Sequence, residues 1–262
     1  MTGVAGDGVP AKQTFTITFG DQAENNVGMQ KIGSLSTKGF DLNDLTVAQN
    51  WFQQKGAITT LYDLKSLLPS DITQADDAHL LVIKGGLSYL LPPSKTINDF
   101  YAEQDALEKD KKAFMYGRVV NKVARHNLCF GTYNQEPDYE QGQGRIVSFD
   151  DVPLLNTVRN RFVDVIGDKG NNLVAEGNYY YDINKCYISY HGDTERKKVI
   201  AIRVGQPFPL YYQWYHQSKP VGDCGELMLD SGDIYIMSEK ATGNDWKRRT
   251  IYTLRHAAGF NL

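Results

Sequence analysis

Apolar residues recur at different periods along the chain, and the period predicts the elements. Gln13-Thr-Phe-Thr-Ile-Thr-Phe19 alternates polar and apolar side chains and is rich in β-branched residues, the pattern of a strand with one buried face, stopped at Gly20-Asp21. Leu45, Val47 and Trp51 give 44–52 a helical spacing, and a second short helix is expected over 61–68, ahead of Pro69. Leu80-Leu-Val-Ile-Lys-Gly-Gly86 reads as a buried strand running into a turn, and the charged stretch 101–112 as an exposed helix. Residues 125–145 mix Gly, Pro and Tyr with polar side chains, too polar for a core and too aromatic for a linker, as in an ordered lid. Behind Asp151 and Pro153, Leu154, Leu155, Val158, Phe162 and Val165 mark an amphipathic helix over about 152–166. Short strands then follow one another at 173–175, 186–190, 199–204, 209–215, 226–229, 233–237 and 250–254. So many strands after one helix predict a sandwich or jelly roll rather than βαβ units.

Composition narrows the class. With 262 residues, 41% of them hydrophobic and 23% charged, the chain can bury a sizeable core, and no apolar run reaches the length of a membrane span. The first ten residues lack the basic start and apolar centre of a secretory signal and read as a disordered leader, so an intracellular protein is expected. Cys129, Cys186 and Cys224 are odd in number and form no C-x-x-C pair, which argues for reduced thiols and against a disulfide framework or structural zinc. A net charge of −3 excludes coating of nucleic acid by bulk charge but leaves room for a local basic face.

The candidate chemistry sits in Tyr187-Ile-Ser-Tyr-His191-Gly-Asp193. A His-x-Asp at the end of an aromatic-rich strand points an imidazole and a carboxylate at one spot, two thirds of a facial iron site. Upstream lies Asn178-Tyr179-Tyr180. Downstream, Leu229-Asp-Ser-Gly232-Asp233 is a turn feeding a strand, followed by Arg249 and Arg255. The two arginines are an even number of positions apart, so on a strand both would project to one face, a pairing suited to a dicarboxylate.

This ordered set resembles the AlkB-like family of iron(II)- and 2-oxoglutarate-dependent dioxygenases, over about 125–259. The resemblance implies an α+β fold: a double-stranded β-helix (jelly-roll) catalytic core at 173–259 within a domain of 116–262, with flanking helices. Residues 1–115 match nothing in the family and are expected as an N-terminal α/β extension packed on the core. It further implies that His191 and Asp193 bind Fe(II), that Asn178, Tyr180, Arg249 and Arg255 hold 2-oxoglutarate, and that 125–145 is the substrate lid. Dioxygen and 2-oxoglutarate would be consumed, with succinate formed as a C–H bond of the substrate is hydroxylated. One part of the pattern is missing, because the family's third ligand is a histidine between the Gly-Asp strand and the first arginine, and 234–248 contains none. Asp245 is the best hard-oxygen candidate there. The alternatives are iron held by two residues and 2-oxoglutarate, a displaced His256, which on a regular strand points away from the face of Arg255, or an altered activity.

The substrate is left open by the residues. Arg125 and Arg145, with Arg196, Lys197 and Lys198, would give a basic rim for phosphates, and Tyr212 or Trp214 a platform for an extruded base. Family habit points to a modified base in single- or double-stranded nucleic acid. Hydroxylation of a small metabolite or protein side chain, or a non-catalytic binding module with a degenerate iron site, are the alternatives.

Overall fold

The computed structural model describes residues 12–262, so the leader expected over the first ten lies outside the described residues. In chain order the first half forms β1 (Thr14–Gly20), β2 (Gln22–Glu24), β3 (Lys31–Gly33), α1 (Leu42–Gln53), β4 (Thr59–Asp63), β5 (His79–Ile83), α2 (Ile97–Asp105), β6 (Lys112–Met115) and β7 (Arg118–Asn121). The second half forms β8 (His126–Gly131), β9 (Ile146–Ser148), α3 (Pro153–Ile166), β10 (Val174–Tyr180), β11 (Ile188–His191), β12 (Val199–Gly205), β13 (Phe208–His216), β14 (Lys219–Leu229), β15 (Ile234–Met237) and β16 (Thr253–Ala258). The result is a mixed α+β fold built on an eight-stranded sheet, β4-β5-β15-β12-β1-β10-β8-β9, antiparallel except at its β8–β9 edge. A four-stranded sheet, β11-β16-β13-β14, is antiparallel throughout.

Strand alternation divides the large sheet into two environments. Phe15, Ile17 and Phe19 of β1 point into the main apolar core, with Phe52 of α1, Phe100 of α2 and Phe162 of α3. Thr14, Thr16 and Thr18 alternate with them and are buried as well. The expectation of a strand with one solvated face is therefore corrected: β1 is covered on both sides, and its threonines face the space between the sheets. Part of that space is filled by a second apolar core of Val199, Ala201, Tyr212, Trp214, Tyr235 and Leu254. The rest is polar and holds the site.

Local chemistry accounts for the helix limits. Asp41 and Asp44 form a reciprocal capping box that starts α1 ahead of the apolar spacing, and Thr96 and Asp99 do the same for α2. Pro153 occupies the first turn of α3, where its missing N–H costs no hydrogen bond. Several expectations are corrected. Residues 61–68 split into the end of β4 and a 3₁₀ turn, Leu64–Leu67, because Leu61 pairs with Leu81 of β5. The helix expected at 101–112 is α2, which ends at Asp105. The first part of the expected lid is β8, with Leu128, Cys129 and Phe130 buried against β10. From the first half of the chain, β1, β4 and β5 are strands of the large sheet, and β1 lies between β12 and β10. Cys129 and Cys186 are buried free thiols and Cys224 an exposed one. Among the described residues no helix is long and apolar enough to cross a membrane.

Candidate metal centre

His191 ends β11, and the chain turns through Gly192 to Asp193. Strand β16 pairs with β11 so that His256 lies directly opposite His191. Cross-strand neighbours on one face bring their Cβ atoms to within roughly 5.5 Å. The two imidazoles meet as a consequence, with ring centroids 4.4 Å apart. Asp193 Oδ1 lies 3.4 Å from His191 Nε2 and 3.6 Å from His256 Nε2. Ligand atoms of all three residues fall within 4.8 Å of one another. Two imidazoles and a carboxylate at this spacing form a 2-His-1-carboxylate arrangement, the donor set of a divalent transition metal with open coordination positions.

The surroundings favour that use. His191 Nδ1 is 2.9 Å from the Ser189 carbonyl oxygen, which fixes the proton on Nδ1 and leaves Nε2 as a lone-pair donor. His256 Nδ1 is buried with no hydrogen-bond partner among the described residues. Burial, and then the neighbouring His191, push the His256 pKa down, so the ring is held in its neutral, ligating form. Burial opposes the charge on Asp193, but His256 and the Arg196 guanidinium 3.8 Å away hold its carboxyl well below the usual range. Arg196 is itself 3% exposed and is pinned by Glu176 and by Glu195 at 2.7 Å.

Gly192 sets the spacing between the first two ligands. The Asp193 N–H donates to the Thr242 carbonyl at 2.9 Å, docking the turn on 242–243. A Cβ at position 192 would stand 2.1 Å from the Gly243 carbonyl oxygen. Gly192→Ala is therefore expected to cost about 1–3 kcal/mol of stability and to weaken metal binding by displacing Asp193. Thermal melts and a metal titration check this, and an alanine variant matching the wild type in both would refute the assignment.

The three ligands open into a cavity of about 140 Å³ between the sheets. One row of its wall follows from register alone: Arg203 of β12 is opposite Thr16 of β1, and Thr16 is opposite Asn178 of β10. Asn178 is in turn opposite Asn127 of β8. Arg203 is 0% exposed, and its Nε and Nη1 have no hydrogen-bond partner among the described residues. Its guanidinium rests 5.1 Å from the Phe208 ring and 5.8 Å from that of Tyr180. Burial lowers its basicity. The adjacent Thr16 Oγ1 is orphaned too. Asn178, by contrast, is fully engaged: its Oδ1 accepts from Arg125 Nε at 2.6 Å and from Asn127 at 2.8 Å, and its Nδ2 donates to Glu176.

Beyond Asn127 the polar network continues to Lys122, whose ammonium donates to Asn25 Oδ1 at 2.5 Å and to Asn127 Oδ1 at 3.0 Å. Burial pushes its pKa down to about 8 from an ordinary 10.5, with Asp110 acting in the opposite sense. Between those values the unfolded chain binds the proton more tightly than the folded one, so the contribution of Lys122 to stability rises with pH across that window. The wild type is expected to gain on Lys122→Met by up to about 3 kcal/mol between pH 8 and 10.5. Urea midpoints of the two proteins measure it, and a difference independent of pH would contradict it.

Among the residues expected from sequence, the structure brings His191, Asp193, Asn178, Tyr180 and Arg125 to this cavity. Others lie elsewhere. The Asp245 carboxylate is 2.8 Å from Lys240 Nζ in a separate cleft with His79 and Ser238, so the third member of the metal cluster is His256. Arg249 is exposed in a turn ahead of β16. Arg255 points to the other face of the small sheet, stacked at 3.8 Å on Tyr215 and 5.0 Å from Trp246. Arg145 is paired with Glu136 and Glu108. Tyr212 and Trp214 are buried in the second apolar core, with Trp214 Nε1 donating to the Leu64 carbonyl at 2.8 Å, so neither offers a platform to a base. Arg203 and Thr16 were not anticipated. A signal for the first exists, because Arg203 is the one charge inside the apolar run Val199-Ile-Ala-Ile-Arg-Val204, and a charge there needs a partner or a purpose.

No family model matches the sequence. Over 249 residues it is 51% identical to a protein of Acanthamoeba polyphaga mimivirus described as "Uncharacterized protein R156", covering 95% of this chain and 96% of the other.

Proposed function

We infer that this chain, which belongs to one family with the mimivirus protein, is an iron(II)- and 2-oxoglutarate-dependent oxygenase with an AlkB-like jelly-roll core. The observation that carries the reading is the sharing of one cavity by the His191-Asp193-His256 cluster and the bare Arg203 guanidinium. A buried cation with two unpartnered N–H-bearing nitrogens is costly unless an anion meets it. A carboxylate takes a guanidinium fork in a bidentate pair, and Thr16 Oγ1 stands beside it to donate a further hydrogen bond. Arg203 and Thr16 thus take the part that the resemblance gave to Arg249 and Arg255. When bound, iron(II) with 2-oxoglutarate supplies the oxidation, in which dioxygen and the keto acid are consumed, succinate and carbon dioxide are released and a substrate C–H is hydroxylated.

The chain's own residues orient and insulate. His191, Asp193 and His256 would hold the metal. Arg203 and Thr16 would hold a carboxylate of the keto acid, and Arg196 keeps Asp193 ionised. β12 and β15 pack on β13 and β16 of the smaller sheet, and β1 and β10 share the cavity lining with β11 and β16, which supports the jelly-roll reading. For the substrate, the cavity wall includes Trp246 and Lys247, with exposed Arg248 and Arg249 next in the chain. A ring beside a run of cations suits a base and its phosphates, so hydroxylation or demethylation of a modified base in nucleic acid is the proposed reaction.

The test begins under nitrogen, where iron(II) and 2-oxoglutarate together should give the weak visible absorption of the chelate. Admission of air should then release succinate. With a methylated oligonucleotide present, formaldehyde would mark demethylation. No absorption and no succinate would sink the oxygenase reading, whereas succinate without any response to oligonucleotides would remove only the nucleic-acid substrate.

A further inference from the structure

Counting charges around the cavity leaves one guanidinium over, besides the exposed Lys247 at its rim. Arg196 is committed to Glu176, Glu195 and Asp193. Asp193 belongs to the metal cluster and Arg203 to the cosubstrate on the reading above. Glu24 accepts the Gly28 N–H at 2.7 Å, and burial raises its pKa. Arg125 lines the same cavity, is half-buried, and has no carboxylate partner among the described residues. Its Nε is tied to Asn178 Oδ1 at 2.6 Å, which leaves the two Nη groups for a ligand. Asn178 is held in turn by Asn127 and Glu176, so the guanidinium is fixed by a neutral amide instead of being neutralised by an acid. An ion pair in this position would be easy to build, since Asp for Asn at 178 is nearly isosteric. The amide keeps the charge available.

We propose that the substrate carries its own anionic group, a carboxylate or a phosphate, and that Arg125, positioned by Asn178, binds it across the cavity from the metal. This rests on the assignment of Arg203 to 2-oxoglutarate. The anion fixes how deeply the substrate enters, and thereby which C–H bond is presented to the metal. A cation of fixed orientation also makes a neutral analogue a poor substrate, because the site's donors would be left unpaired.

Acetate and dimethyl phosphate are the probes, one for a carboxylate source and one for a phosphodiester. Each is titrated by calorimetry into protein loaded anaerobically with iron(II) and saturated with 2-oxoglutarate, and the affinity for 2-oxoglutarate is measured separately. One probe or the other should bind the wild type saturably and identify the source. Arg125→Met should weaken it at least about tenfold, and Asn178→Asp should do the same by occupying the guanidinium internally. Both variants should keep 2-oxoglutarate affinity within about threefold. Melting curves confirm folding, and Asn178→Asp serves if Arg125→Met fails to fold. Equal probe binding by wild type and both variants, or no saturable binding of either probe to wild type, would overturn the proposal with the oxygenase reading intact. Loss of 2-oxoglutarate affinity in Arg125→Met but not in Arg203→Met would overturn it by exchanging the two roles. Unchanged 2-oxoglutarate affinity in both of those variants would instead strike at the cosubstrate assignment.

Discussion

His256→Ala is expected to lower iron(II) affinity by about 100-fold or more and to abolish 2-oxoglutarate turnover, while Asp245→Ala leaves both unchanged. Loss of a residue that merely orients a metal ligand typically costs about 10–100-fold in affinity, so removing a ligand outright should cost at least the upper end. His256 is fixed opposite His191 by strand pairing, its ring is buried, and its basicity is depressed, so it reaches the metal neutral and at little cost in reorganisation. Asp245 has Lys240 as its partner and faces another cleft. Its removal takes one of two partners from Lys240, which still has Asp76 at 3.2 Å, a small effect for a partly exposed pair. Metal titration of the two variants side by side decides the matter. Retained affinity in His256→Ala, or its loss in Asp245→Ala, would restore Asp245 as the third ligand.

Why the third ligand was hard to read from sequence is a matter of register. That Arg255 and His256 point to opposite faces was legible, because side chains alternate along any strand. Which of them faces inward depends on pairing. His256 aligns with Tyr212 on the inner face of β13, and Arg255 with Gln213 on the outer one. A slip of one residue would exchange them, and no local pattern fixes the slip. The apolar pattern also placed this strand at 250–254, whereas β16 spans Thr253–Ala258, and the offset leaves Arg249 in an exposed turn. The near part of the site was plain: His191 and Asp193 are two positions apart, α3 announces itself by its helical period and β12 by its apolar run. The placement of β1 was not, since its partners are Tyr180 to Val174 on one side and Gly205 to Ile200 on the other, far along the chain. With β1 goes Thr16, whose value to the site comes wholly from those two pairings.

Replacing Arg203 by methionine is expected to make the protein more stable without ligands and nearly unable to bind 2-oxoglutarate. The two effects have one cause. In the free protein the guanidinium is 0% exposed, with Nε and Nη1 unpaired, so folding strips it of water and returns little. Apolar replacement of buried charged groups is often neutral or stabilising by about 1–4 kcal/mol, and methionine can fill the space beside Phe208 and Tyr180. Against that, two charge-assisted hydrogen bonds to a carboxylate contribute about 1.5–3 kcal/mol each, so their loss should raise the dissociation constant for 2-oxoglutarate roughly 10²- to 10⁴-fold. Thermal unfolding with metal present separates the terms. A ligand at 100 times its dissociation constant stabilises the folded state by about 2.7 kcal/mol, so saturating 2-oxoglutarate should raise the melting temperature of the wild type and leave that of Arg203→Met unmoved. Arg203→Lys keeps the charge but loses the planar fork, and is expected to fall between them in affinity without the gain in stability. A methionine variant that is less stable than the wild type and still binds 2-oxoglutarate would mean that Arg203 holds the two sheets together rather than the cosubstrate.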